Sequence, residues 1–282
     1  MEEYINKVIQ GDCLEVMKEI PDKSIDMVLT SPPYDNLRTY KGYTFNFEGI
    51  AQEIYRVLKD GGVCVWIVGD ATIKGSETGT SFKQALYFKE IGFNLFDTII
   101  YQKRGGLMTG SIKGYSQKFE YMFVFSKNGY PKTINLIKDL TVKYTENRTK
   151  KHRKKDGSFD IQEWKCGGVT RRHNIWIYDI GLHKTTKDKL AFQHPAIFPE
   201  KLAEDHIISW SNEGDIILDP MAGSGTTLKM AKKNNRNYIG IEIAPEYIDI
   251  INKRSYRDWE TDRKSTRLNS SHRSLSRMPS SA

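Results

Sequence analysis

Short apolar runs recur along the chain, and stretches with helical spacing lie between them. Ile25–Leu29, Val63–Val68, Phe119–Phe125, Asp215–Leu218 and Tyr238–Ile243 are rich in Val, Ile and aromatic residues, as buried parallel strands tend to be. Leu95–Tyr101 is a weaker pattern of the same kind. Between them, Phe47, Ile50, Ala51, Ile54, Tyr55 and Leu58 fall on one helical face, and Gly61-Gly62 follows as the expected stop. Ala244, Tyr247, Ile248 and Ile251 repeat that spacing, with Pro245 suited to a first helical position. Within Pro199–Trp210, the side chains Leu202, Ala203, Ile207 and Trp210 can share a face. Strands alternating with helices predict a mostly parallel α/β sheet. No internal repeat interrupts the alternation.

Two stretches break the rhythm. Residues 138–172 are polar and weakly periodic, and Arg148, Lys150, Lys151, Arg153, Lys154 and Lys155 crowd into one short run there. This reads as an insertion into the α/β pattern. The tail, 258–282, ends in RKSTRLNSSHRSLSRMPSSA, which has almost nothing to bury. It is expected to be disordered and resembles vector-derived sequence.

Composition narrows the class without deciding it. A chain of 282 residues accommodates one large domain with a small insertion. No apolar run approaches the roughly 18 residues that span a bilayer, and the N-terminus lacks the pattern of a signal peptide. The expected location is therefore cytoplasmic, with no membrane partner. The three cysteines, Cys13, Cys64 and Cys166, form no CxxC pair, which fits a reducing compartment and no zinc cluster. His152, His173, His183 and His206 also lack metal-ligand spacing, so no metal site is expected. The net charge of +8 favours a polyanionic partner.

Two motifs carry the chemistry. In Asp219-Pro220-Met221-Ala222-Gly223-Ser224-Gly225-Thr226-Thr227, a strand end meets a tight glycine turn, and Thr226 and Thr227 open a helix whose first amides are unpaired. No Gly-Lys-Ser/Thr follows and the spacing is not GxGxxG, so neither a P-loop nor pyrophosphate binding is implied. Glu242 lies 19 residues past Gly223, a spacing at which an acid grips ribose hydroxyls in such folds. Ribose and a carboxylate without phosphate describe S-adenosylmethionine. The other motif, Ser31-Pro32-Pro33-Tyr34, follows the strand Ile25–Leu29. Its prolines fix φ and donate no N–H, so their carbonyls serve as rigid acceptors. Acceptors at Ser31 and Pro32 would draw an exocyclic amino nitrogen toward tetrahedral geometry, and Tyr34 could stack on an extruded base.

In this order the motifs resemble the β class of amino-group DNA methyltransferases, a circularly permuted class in which the catalytic motif precedes the cofactor motif. The resemblance runs from about Ile9 to about Lys253. It implies a class I, Rossmann-like sheet of seven strands with one antiparallel, Phe119–Phe125 being the candidate for the reversed strand. The methyltransferase domain would span 1–257. Asp12 of Gly11-Asp12 matches the family's acidic adenine contact. The run His194-Pro195-Ala196-Ile197-Phe198-Pro199 resembles the segment that packs around the cofactor, which assigns Pro195 and Phe198 to it. Met221 departs from the more usual Phe. The insertion would be the target-recognition element, with the basic run and Arg171-Arg172 contacting duplex DNA.

Ser at the head of the tetrapeptide is commoner among cytosine-N4 enzymes and Asp among adenine-N6 enzymes, so cytosine N4 is favoured and adenine N6 is the alternative. C5-cytosine chemistry needs a nucleophilic thiolate, usually after proline, and Asp12, Val63 and Lys165 precede the three cysteines. A DNA-binding module without catalysis is a further alternative, against which both intact motifs argue. The resemblance allows a cognate restriction endonuclease as partner, a prokaryotic or phage-like source, and a monomer or homodimer.

Overall fold

The computed structural model describes residues 1–33, 45–105, 115–142, 148–164, 168–181, 184–194 and 197–254. The strands begin with β1 (Lys7–Gln10), β2 (Ile25–Thr30), β3 (Leu58–Val68) and the short pair β4 (Thr72–Ile73) and β5 (Ser76–Glu77). Then come β6 (Phe93–Arg104), β7 (Phe119–Lys127), β8 (Lys138–Val142), β9 (Arg148–Arg153) and β10 (Phe159–Trp164). The last are β11 (Gly168–Arg171), β12 (Ile175–Asp179), β13 (Ile216–Asp219) and β14 (Asn237–Glu242). The helices are α1 (Cys13–Lys18), α2 (Phe47–Val57), α3 (Thr80–Glu90), α4 (Glu200–Trp210), α5 (Thr226–Lys233) and α6 (245–254).

Eight strands form one sheet in the order β1-β14-β13-β2-β3-β7-β6-β12. Only β7 runs against its neighbours, pairing antiparallel with both β3 and β6. It is the reversed strand expected at Phe119–Phe125. The eighth member, β12, adds in parallel to β6 at the sheet edge. It buries Trp176 and Tyr178 and exposes Ile175 and Ile177, so its apolar residues face both ways and the run does not read as a half-buried strand. Helices cover both faces. Leu202, Ala203, Ile207, Leu228 and Ile251 pack from α4, α5 and α6 onto Leu29, Val65 and Val124. Met17, Ile54 and Phe88 pack from α1, α2 and α3 onto Val28, Trp66 and Phe125.

One local reading needs correction, and one helix carries no apolar signal. Helix α2 ends at Val57 rather than at the glycine pair, because Leu58 already pairs with Ile25 as β3 begins. Gly61, at φ +73°, instead sits in a bulge of β3, where pairing resumes at Met27 with Val63. Helix α3 escapes an apolar pattern because Ser81 and Gln84 lie on its buried face. Gln84 belongs there, since its Oε1 accepts the buried indole N–H of Trp66 at 2.8 Å.

Residues 138–172 leave the sheet as two antiparallel ladders, β8 with β11 and β9 with β10. Gly157, at φ +87°, turns the chain between β9 and β10. The expected disordered tail lies outside the described residues. No helix among the described residues is long and apolar enough to cross a membrane.

Candidate active site

Strands β1, β14, β13, β2 and β3 are mutually parallel, so their C-terminal ends share one sheet edge. Ligands of open α/β sheets bind at that edge. Both motifs arrive there. Ser31-Pro32-Pro33 continues from β2, and Asp219 ends β13 beside it. Their junction is a buried hydrogen bond. The hydroxyl of Thr30, the last residue of β2, donates to Asp219 Oδ1 at 2.8 Å across 189 residues of sequence. Tyr34 lies outside the described residues.

The glycine loop is built around carboxylates. Asp219 is 1% exposed and also accepts from the Met221 amide at 3.2 Å. Burial pushes its carboxyl up to about 6 in spite of bonds from Thr227, Thr30 and Met221. Glu242, at the end of β14, accepts from the amides of Gly223 at 2.8 Å and Ala244 at 2.9 Å. Burial raises its pKa as well, and the amide bonds oppose the shift. Pro220, Thr226 and Thr227 are buried behind the loop, and Met221 packs against the core under α1 to α3. Asp12 follows β1, whose Gln10 pairs with Glu242. Its carboxylate caps α1 through the Leu14 amide at 2.8 Å.

Gly223 and Gly225 both hold positive φ, +52° and +76°. A Cβ on Gly223 would stand 3.0 Å from His194 Nε2, and one on Gly225 would stand 3.0 Å from Ile251. Glycine at both positions therefore keeps the loop thin where two walls close on it. The ring of His194 packs edge-on against Tyr247 of α6 at 4.3 Å. Phe198 packs on the core nearby, while Pro195 lies outside the described residues. This set fits S-adenosylmethionine. A carboxylate has about four lone-pair sites. Amides of Gly223, Ala244 and Ile243 engage Glu242, which leaves capacity for a hydroxyl donor.

Features that the motifs did not mark share this edge. Exposed Phe82 of α3 meets Tyr121 of β7 at 5.4 Å between ring centres, and half-exposed Phe119 meets it at 5.3 Å. Asp70, after β3, accepts from the Ser81 amide at 2.9 Å and holds the start of α3. Arg254, buried beneath the loop, was invisible for want of any local motif. Its only sequence signal is a cation on the inward face of an amphipathic helix.

The basic candidates divide. Lys151, Arg153, Lys154, Lys155 and Arg171 are exposed on or beside the ladders. Arg148 and Lys150 lie on β9, but their side chains are outside the described set. Arg172 is committed elsewhere. Its guanidinium donates to Asp139 and, at 2.7 Å, to buried Asp205 of α4, and it covers the Trp176 ring at 5.1 Å. Those contacts root the ladders on α4. His206 is fully buried between Met122, Trp176 and Trp210, and burial lowers its pKa to about 3, so it is a neutral packing group.

A profile of the N6/N4 DNA methylases matches residues 25–253. The orphan methyltransferase M.BamHII of Bacillus amyloliquefaciens is 60% identical over 84% of this chain and 91% of its own length. The type II methyltransferase M.BglII of Bacillus subtilis is 30% identical over 88% of this chain and 68% of its own. A Thermus thermophilus protein, provisionally assigned as a DNA modification methylase and complexed with S-adenosyl-L-methionine, superposes with a TM-score of 0.58 at 25% identity. That match covers 89% of this chain and 94% of the other. The chain belongs to the N6/N4 family of DNA methylases, amino-group methyltransferases of the β class that use S-adenosyl-L-methionine.

Proposed function

We propose that this methylase transfers its methyl group to the exocyclic N4 of cytosine in duplex DNA. The observation that carries the reading is Ser31 at the head of Ser-Pro-Pro-Tyr, held at the end of β2 by the Thr30–Asp219 bond. When bound, S-adenosylmethionine supplies an electrophilic methyl on a sulfonium. Glu242 holds ribose hydroxyls and Asp12 the adenine end. Phe198 and Met221, with Pro195, supply apolar walls, and the loop from Asp219 through Thr227 seats the remainder.

The Ser31 side chain and the Pro32 carbonyl accept the two amino N–H bonds. This withdraws the nitrogen lone pair from the ring and frees it for attack. As the N–C bond forms, the methyl's bond to sulfur would break and leave a neutral thioether, so no strong general base is needed first; the proton leaves the methylated, cationic nitrogen afterwards, to water. Tyr34 stacks on the extruded base, and Phe82, Phe119 and Tyr121 offer further aromatic faces at the same sheet edge.

The ladders of 138–172 serve as the recognition element within a methyltransferase domain spanning 1–257. Arg148, Lys150, Lys151, Arg153, Lys154, Lys155 and Arg171 contact phosphates, and Arg172 anchors the element to α4. The relation to a protein named an orphan methyltransferase favours action without a paired endonuclease.

Label transfer tests the choice of base. Duplex DNA methylated with methyl-labelled cofactor and digested to nucleosides should carry label in N4-methyldeoxycytidine. Label confined to N6-methyldeoxyadenosine would assign the activity to adenine instead.

A further inference from the structure

Arg254 follows Ile250 by four residues and Ile251 by three, so it shares their inward face on α6. It is 2% exposed. A guanidinium so placed needs partners, and it has three from separate parts of the chain. Nε meets Asp188 Oδ2 at 3.0 Å, and Nη2 meets Glu200 Oε1 at 3.1 Å. Nη1 donates to the carbonyl of Ser224, inside the glycine loop. Glu200 Oε1 also accepts from the Thr186 hydroxyl at 2.6 Å and meets Lys229 of α5 at 3.1 Å.

The same helix meets the loop once more directly and once through His194. Tyr247 packs on His194, which lies over Gly223, and Ile251 lies against Gly225. One planar fork therefore ties the loop that begins α5 to the segment leading into α4. Ile250 and Ile251 supply the apolar part of the inner face of α6.

We propose that Arg254 is a positioning residue for the methyl donor. By holding the Ser224 carbonyl it fixes the loop peptides, and through Asp188 and Glu200 it holds the two points of the chain that flank His194, the residue lying over Gly223. The inference rests on the family's cofactor and is independent of which base is methylated.

The test measures cofactor binding without DNA, so its result is separable from the base assignment. Arg254→Lys and Arg254→Met are titrated with S-adenosylmethionine, alongside DNA affinity, thermal unfolding, and kcat and KM. Loss of charge-assisted bonds of this kind is expected to weaken cofactor binding about tenfold in Arg254→Lys and about a hundredfold in Arg254→Met. DNA affinity should stay within about twofold, and kcat of Arg254→Lys at saturating cofactor should approach that of the parent. Asp188→Asn is the milder probe. It keeps an acceptor for the Leu190 amide, now 3.0 Å away, but loosens the guanidinium. It should also raise the cofactor KM. Unchanged cofactor affinity in folded Arg254→Lys would overturn the proposal, as would parallel loss of cofactor and DNA affinity. Failure of all three variants to fold would assign Arg254 to the core and overturn it as well.

Discussion

Asp219 joins the two motifs through Thr30, and its burial gives that joint a pH signature. Its carboxyl is raised to about 6, from an ordinary 3.8. A folded-state value above the unfolded one means that the folded chain takes up the proton first as pH falls. The ionised group therefore costs stability at pH 7, and that cost fades as pH drops from about 6 toward 3.8. Asp219→Asn keeps an acceptor for Thr30 and Met221 but removes the charge. Its stability relative to the parent should be most favourable near pH 7 and fall by about 2 to 3 kcal/mol by pH 4, read from denaturant unfolding at each pH. A difference independent of pH would show that Asp219 is not a buried ionised group. Asp219 and Glu242 were legible as candidates because a glycine turn and a fixed spacing announce them. Arg254 was not, because its partners Ser224, Glu200 and Asp188 lie 30, 54 and 66 residues away in sequence.

Among the elements, those whose burial follows apolar periodicity were readable. Helix α2 presents Ile50, Ala51 and Ile54 inward, as its spacing implied, and Val57 takes the last buried place because Leu58 already belongs to β3. Helix α3 and the bulge in β3 were not readable. One buries polar residues that find partners only in the fold, and the other uses a glycine pair to break a strand's register.

The insertion was marked by its charge but not by its form. Ladder pairing between β9 and β10 buries little, and Phe159 and Ile161 remain exposed. The division of its cations predicts two different defects. Lys151→Gln and Arg153→Gln should each reduce the slope of log affinity against log salt by about 0.9, with stability unchanged. Arg172→Ala should lower stability by about 3 kcal/mol, because it strips a partner from buried Asp205. A slope change with intact stability in Arg172→Ala would return that residue to the DNA surface.

At the scale of the whole molecule, motif order announced the topology. A catalytic turn early in the chain and a cofactor loop late in it can meet only if their strands are neighbours. Here β2 and β13 pair in parallel, with Met27 opposite Ile217 and Val28 opposite Leu218. The added edge strand β12 was beyond sequence reading, because Ile175 and Ile177 face outward beside buried Trp176 and Tyr178. Its position is set by the ladders that precede it and by the Arg172 anchor on α4.

The most direct test is nucleoside mass spectrometry of genomic DNA from one host expressing the parent chain or Ser31→Ala. N4-methyldeoxycytidine is expected with the parent and, on the order of 10²-fold less of it, with Ser31→Ala, whose cofactor binding should be spared. Equal N4-methyldeoxycytidine from both chains, or none from the parent, would contradict the assignment of Ser31 and the β2 edge to cytosine N4.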